Sequence, residues 1–393
     1  MDRELGKILV VDDNEMNRDM LSRRLSRKGH TVQVAENGRR ALEIVDDEEF
    51  DLILLDIMMP GIDGYQVLEQ IRQSKDAGIL PIIMATAKDQ SEDIVRALRL
   101  GANDYVTKPL DFPVVLARVE TQLALKKAKE SLAAAYAKMK KDARAAARFQ
   151  HALLPTSQPD TGCTEFAWRY QPCDELGGDA LNVFQIDDRH VCFYLLDVSG
   201  HGVPSALLAV TATRSLSLAS DEASLITRPI EEPPGYTIAD PADVAARLNE
   251  LNPMASNDNH YFTMVFAILN IVSRQVRFVN AGHLSPILLL ASGEAQFVDV
   301  PNFSIGMFPA VKFRDTKFIM PPGSRLYFYS DALAESANGR DEEFGKERLM
   351  LAAKSVRDRP LDEGLDAIIA AVDEWQEDED FDDDVSILAL ETT

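Results

Sequence analysis

Over the first 110 residues the apolar positions fall in short blocks, at 8–11, 31–35, 52–55, 82–85 and 105–107, each separated from the next by a longer, charge-bearing stretch. Blocks of this length between helix-length amphipathic stretches predict βα repeats around a buried parallel sheet, an α/β doubly wound domain over 5–122. In such sheets ligands bind beyond the carboxyl ends of the strands. Those ends carry Asp12 and Asp13, Asp56, Thr86 and Lys108. Three carboxylates on one rim repel each other unless a cation joins them, and an all-oxygen set suits Mg2+. A hydroxyl and an ammonium on the same rim would hold an anion beside that ion, which fits phosphorylation of one carboxylate. Each acid alone reads as a helix cap or loop residue; the five positions together do not.

From 113 to 155 the pattern changes. No Gly or Pro interrupts the chain between Pro113 and Pro155, and the run is dense in Ala, Lys, Leu and Glu, so it predicts one long helix. Leu125, Leu132, Met139, Ala146 and Leu153 recur every seven residues, and Tyr136 and Ala143 supply the second seam position of the middle heptads. That is coiled-coil spacing, weakened by Lys129 and Gln150 at the positions equivalent to Tyr136 and Ala143. A coiled-coil linker would make the chain a homodimer and the helix a signal transmitter. The plainer alternative is a single helix packed on its own domains.

From 145 to 393 strand-like runs dominate, at 191–196, 262–270, 275–280, 287–290, 326–330 and 385–390, with helical patterns at 205–218, 242–251, 347–356 and 361–374. Runs of strands with helix pairs between them predict α+β layering rather than a second doubly wound sheet. Acids close strands again. Asp197 ends CFYLLD before the glycines of VSGHG, Asp331 follows LYFYS, Asp383 precedes VSILAL, and Glu175 and Asp179 flank the glycines of DELGGD. His201 in SGHG and His283 in NAGHLSP are candidate catalytic or substrate-contacting groups, with a structural, hydrogen-bonded role as the alternative. The Pro- and Glu-rich stretch 220–241 reads as a mobile loop near substrate entry.

A length of 393 residues exceeds one ordinary core and accommodates two domains and a connector. Cys163, Cys173 and Cys192 form neither a CxxC pair nor a metal-finger spacing, which fits a reducing cytosol. With 41 basic against 64 acidic residues the net charge is −23, which repels phosphate backbones and anionic lipid and argues against nucleic-acid or membrane partners. The opening MDRELGKILVVDD has no signal-peptide character, and no apolar run nears the roughly 20 residues needed to span a bilayer. The expectation is a soluble, cytoplasmic protein.

VVDDN, LLDIMMPGIDG, MATAKD and YVTKP, in this order and spacing, resemble the signatures of response-regulator receiver domains, which are flavodoxin-like in fold. The resemblance implies Asp56 as phosphoacceptor, with Asp13, Asp56 and the Met58 carbonyl binding Mg2+ and Asp12 helping through water. It further implies Thr86 and Lys108 as phosphoryl contacts, Tyr105 as the aromatic that turns inward on activation, and a histidine kinase as partner.

ARFQHALLP, ELGGD, LLDVSGHGVPSALL, NDNHYFTMVFAILN, VNAGHLSP, YSDALAES and DDDVSILAL resemble, in order, the PPM (protein phosphatase 2C-like) serine/threonine phosphatases of the SpoIIE and RsbU kind. Their fold is a β-sandwich flanked by helices, and the resemblance spans 145–393. It implies Asp197 bridging two Mn2+ or Mg2+ ions, the Val198 carbonyl on one, Asp331 and Asp383 on the other, and Asp179 binding through water. It also implies a phosphorylated anti-sigma-factor antagonist as substrate. The chain departs from the family where Ala332 stands for a common Gly and where Ala180, Leu181 and Asn182 stand for FYD. The whole reads as a response regulator whose output is a metal-dependent phosphatase. Its rival, a phosphatase-fold adaptor without catalysis, has no reason to keep costly clustered carboxylates. A DNA-binding regulator is opposed by the charge.

Overall fold

The computed structural model describes residues 5–87, 91–200, 202–218, 224–257, 259–377 and 381–393. The chain divides into two units, 1–139 and 140–393. The first runs β1 (Lys7–Val11), α1 (Glu15–Arg27), β2 (Thr31–Ala35), α2 (Gly38–Asp47), β3 (Leu52–Asp56), α3 (Gly64–Arg72), β4 (Ile82–Ala87), α4 (Ser91–Arg99) and β5 (Asp104–Lys108), and ends in the start of α5 (Phe112–His151). All neighbours in the sheet are parallel, in the order β2-β1-β3-β4-β5. Both faces are buried: Leu9, Val11, Ile53, Leu55, Ile82 and Met84 pack on one side, Ile8, Val10, Leu52, Leu54 and Ile83 on the other. That double burial is why these strands read as unbroken apolar blocks. The winding reverses between β1 and β3, so Asp12, Asp13 and Asp56 flank the crevice of a flavodoxin-like receiver.

Helix α5 is continuous over 40 residues. Its first turns bury Val115, Val119 and Leu123, at four-residue spacing, against the receiver core. Further along, Leu132, Tyr136 and Met139 are 71%, 60% and 63% exposed, so most of the apolar seam faces solvent. Leu153 lies beyond the end of the helix.

The second unit contains β6 (Thr164–Gln171), β7 (Ala180–Asp187), β8 (His190–Val198), α6 (Val203–Ser215), β9 (Thr227–Pro229), β10 (Tyr236–Ile238), α7 (Pro241–Leu251), β11 (Phe262–Asn270) and β12 (Gln275–Ala281). It continues with β13 (Ile287–Leu289), β14 (Ala295–Phe297), β15 (Asp315–Ile319), β16 (Arg325–Tyr329), α8 (Ala332–Glu335), α9 (Gly345–Ser355), α10 (Leu361–Trp375) and β17 (Val385–Thr392). Two five-stranded sheets, β15-β12-β11-β8-β7 and β14-β13-β16-β17-β6, face each other. Phe193 of one sheet stacks on Phe328 of the other at 5.3 Å, within an inter-sheet core that includes Leu195, Val265, Leu326 and Leu388. Helices α6 and α7 cover the outer face of the first sheet, and α8, α9 and α10 that of the second. The result is a four-layer α-β-β-α sandwich.

Strands β6 and β7 were not legible as strands, because their apolar alternation is broken by half-exposed polar positions. The stretch read as a mobile loop over 220–241 also differs. Residues 219–223 lie outside the described ones, but β9 and β10 form a hairpin, and the Tyr236 hydroxyl donates to Asp187 Oδ2 at 3.2 Å. Among the described residues no helix is long and apolar enough to cross a membrane.

Candidate functional site

At the receiver rim, Asp12 and Asp56 are each 2% exposed while Asp13 faces solvent. Oxygens of the three lie within 4.8 Å of one another, a donor set that fits a hard divalent ion. Lys108 Nζ reaches Asp12 Oδ2 at 3.1 Å and Asp56 Oδ2 at 2.6 Å. Burial pushes the Asp56 carboxyl above its ordinary value, against the pull of Lys108. Lys108 loses stability as a cation through burial, yet the hydrogen bond and charge of Asp56, then those of Asp12, outweigh this and raise it. Asn17 Nδ2 and the Asn14 N–H hold Asp12, and the Met58 N–H donates to Asp56 Oδ1 at 3.3 Å. Gly64 opens α3 against the back of this site, where a Cβ would stand 2.2 Å from the Asp56 carbonyl oxygen. Thr86 is buried on β4, and Tyr105 is half-buried against the core with the Arg118 guanidinium 5.9 Å from its ring.

The acids of the second unit meet at one end of the sandwich, two from each sheet. Antiparallel pairing brings the end of β8 beside the start of β7 (Leu196 opposite Ala180), which places Asp197 and Asp179 together. Pairing of β16 with β17 (Tyr329 opposite Ile387) does the same for Asp331 and Asp383. Burial first, and then the charge of Asp197, raise Asp179 well above the usual carboxylate range. Burial and the charges of Asp331, Asp383 and Asp384 push Asp197 up to about 7. Asp331 is raised by burial and by Asp383.

Asp179 Oδ2 is buried with no hydrogen-bond partner, and no lysine or arginine pairs with Asp179, Asp197 or Asp331 among the described residues. Orphaned, mutually repelling oxygens are what divalent cations neutralise, so the residues fit the ions that the fold implies. Gly178 lets the loop close on this point, since a Cβ there would lie 3.0 Å from the Val198 carbonyl oxygen and 3.2 Å from that of Gly200. A cleft of about 420 Å³ opens beside the acids, lined by Asp331, Glu335, Asn338, Asp341, Asp382 and Asp383 among others. Glu335, one helical turn beyond Asp331, had not been singled out.

His283 spans the two sheets. Its Nε2 faces the Tyr329 carbonyl at 3.0 Å and must donate, which leaves Nδ1 to accept from Thr263 Oγ1 at 2.7 Å. Burial lowers it to about 4, so the ring is neutral. Thr263 is the pairing partner of Asp197, and Tyr329 lies two residues before Asp331. His283 is therefore placed to hold the sheets together rather than to exchange protons. Glu175 does not join the acids: Lys140 and Arg144 of α5 hold it at 3.3 and 3.1 Å. His201 lies outside the described residues.

Gln150, read from the sequence as a break in the seam, has a further place. Its Nε2 donates to the Gly177 carbonyl at 2.6 Å and its Oε1 accepts the Gly177 N–H at 3.3 Å, fastening the end of α5 to the loop that carries Asp179. The departures from the family pattern have structural places. Ala180 packs under α6 and Leu181 enters the inter-sheet core, while Asn182 Nδ2 donates to the Leu153 carbonyl at 3.4 Å. Ala332 is the first residue of α8 and lines the cleft.

Residues 187–393 match the profile of the family described as Stage II sporulation protein E (SpoIIE), and 8–120 match the response regulator receiver domain. The receiver part is 41% identical over 117 residues to the transcriptional regulatory protein HprR of Escherichia coli strain K12, covering 30% of this chain and 51% of that protein. The chain thus spans about half the length of that curated relative. Among solved structures, the SiaA-PP2C domain of Pseudomonas aeruginosa is similar in fold, with a TM-score of 0.55 and 21% identity over 66% of this chain and 100% of that one. The PP2C phosphatase domain of SpoIIE from Bacillus subtilis, with a fragment of its regulatory domain, gives a TM-score of 0.49 and 14% identity over 58% and 63%.

Proposed function

The chain belongs to the Stage II sporulation protein E family, and from that premise we propose a response regulator in which phosphorylation of Asp56 controls a metal-dependent protein serine/threonine phosphatase. The observation that carries this reading is the meeting of Asp179, Asp197, Asp331 and Asp383 at one end of the sandwich with no cation of the chain paired to the first three among the described residues. Asp197, the Val198 carbonyl, Asp331 and Asp383 would hold two Mn2+ or Mg2+ ions, with Asp179 acting through water. When bound, such a pair supplies a deprotonated water at neutral pH and neutralises the phosphoryl oxygens. The chain's own part is to fix that geometry, with His283 joining the sheets and Gly178 admitting the Val198 carbonyl.

In the receiver, Asp13, Asp56 and the Met58 carbonyl would hold Mg2+ with Asp12 helping through water, Thr86 and Lys108 would contact the phosphoryl group, and Tyr105 would follow the switch. A histidine kinase is the phosphodonor, and a phosphorylated anti-sigma-factor antagonist is the substrate. Helix α5 pairs two copies through Leu125, Leu132 and Met139, and Gln150 gives its end a hold on the Asp179 loop. The test is phosphate release from p-nitrophenyl phosphate and from a phosphoserine protein across a Mn2+ titration, with and without acetyl phosphate. Release that is independent of metal would overturn the enzyme assignment. A donor response that survives Asp56→Asn would overturn the receiver assignment.

A further inference from the structure

Asp384 stands next to the ligand candidate Asp383 but is occupied differently. It is 3% exposed, its Oδ1 accepts the Cys173 N–H at 2.9 Å, and its Oδ2 accepts the Asp179 N–H at 3.1 Å. Its carbonyl accepts the Ser330 hydroxyl at 2.9 Å, and that hydroxyl in turn accepts the Ser386 N–H at 2.9 Å. Cys173 and Asp179 bracket the DELGGD loop, and Ser330 immediately precedes Asp331. One residue thus ties the loop of Asp179 to the strand ends that bear Asp331 and Asp383. The approach is so close that a Cβ on Gly177 would lie 2.5 Å from Asp384 Oδ2 and 2.3 Å from the Tyr170 hydroxyl.

Resting on the two-ion reading of this site, we propose that Asp384 is a positioning residue that sets the spacing between Asp179 and the Asp331–Asp383 pair without being a ligand. Partners behind a ligand shell commonly change metal affinity 10- to 100-fold when altered. The alternative has a geometric basis, because donor atoms of Cys173, Asp383 and Asp384 lie within 4.8 Å of one another and could share an ion. Both carboxylate oxygens of Asp384 already accept backbone N–H groups, which favours positioning.

The experiment titrates the metal-free full-length chain with Mn2+ by calorimetry, alongside turnover of p-nitrophenyl phosphate. Asp384→Asn keeps the shape but replaces one acceptor by a donor facing an N–H. The expected result is the parental number of bound ions, a binding midpoint raised about 10- to 100-fold, and kcat and KM at saturating Mn2+ within about threefold of the parent. Gly177→Ala, which presses a methyl group on the same carboxylate, should move the midpoint in the same direction and serves if Asp384→Asn does not melt cooperatively. An unchanged midpoint in both variants overturns the inference, and so does loss of one ion from the count, which would make Asp384 a ligand. A parent chain that binds no Mn2+ at the sandwich overturns the two-ion reading itself.

Discussion

At the receiver rim a lysine of the chain stands among the acids, with Lys108 Nζ 3.1 Å from Asp12 and 2.6 Å from Asp56. At the end of the sandwich Asp179, Asp197 and Asp331 have no such partner among the described residues, and each is pushed toward its protonated form. The difference fits the two proposed tasks. A rim that accepted and released a phosphoryl group would be better served by a fixed cation that keeps its acids in place whether or not metal is bound. A hydrolytic centre would need more positive charge than one ammonium supplies, so its acids would stay uncompensated until ions arrive, and proton and metal occupancy would be coupled there.

The largest effect expected from this contrast is on turnover. Asp331→Asn or Asp383→Asn should lower Mn2+-dependent phosphate release by about a thousandfold or more, since each removes a charge from the ion-binding set. The metal-free melting temperature should hold or rise, because a repulsion is relieved. Near-parental activity at low Mn2+ in both variants would remove the phosphatase half of the comparison.

Next in size is Lys108→Ala, which strands two buried carboxylates. Breaking such a pair costs about 3 kcal/mol, somewhat less where the lysine is partly solvated. Scanning calorimetry of the full-length chain should show the receiver transition shifted down, with Mg2+ recovering part of the loss. An unshifted transition would show that the built-in cation is dispensable.

The pH dependence sharpens the comparison, because two groups in the second unit carry opposite signs. Asp197 rises from 3.8 to about 7 in the folded, metal-free protein. Its contribution to stability is complete below the unfolded value and is lost as pH rises through about 7. His283 falls from 6.5 to about 4, so its contribution is in place above 6.5 and is lost as pH falls through 4. Metal-free melts should therefore weaken on the alkaline side of neutrality, and Mn2+, by displacing the protons, should reverse that slope and bind more tightly as pH rises. His283→Gln should cost about 1–3 kcal/mol and flatten the acid-side loss only. A metal-free melting temperature that climbs steadily from pH 6 to 8 contradicts the acid-cluster account.

The smallest effect on chemistry is expected from the linker. Leu132→Lys with Met139→Lys should weaken a dimer seen by light scattering and reduce the response to acetyl phosphate, with basal turnover unchanged. A dimer and a donor response both equal to the parent would leave α5 a spacer.

The receiver was legible almost strand by strand, because burial on both faces turns each strand into an apolar block and the rim residues sit at block ends. The long strands of the sandwich were legible for a similar reason, as with β11, which carries seven buried residues in nine. Edge strands β6 and β7 were not, since half-exposed polar positions break their pattern. The ligand candidates could be read because acids at strand ends stand out. Their supports could not: the contacts that fasten Gln150 to Gly177, Asp384 to Asp179 and His283 to Tyr329 join residues 27, 205 and 46 positions apart. The run DDD before β17 shows the limit, because Asp383 and Asp384 differ only in which way each side chain is turned by its neighbours.

That two acids hang from each sheet has a consequence for how the second unit opens. Among the described residues, the His283 bridge and the Asp384 hydrogen bonds tie the two sheets together at that end. Ions shared by both sheets would merge the layers into one cooperative exchange unit. Amide protons at the end of β8 and at the start of β17 would then slow together on adding Mn2+, a pairing across the sandwich that neither sheet's own hydrogen bonding can produce.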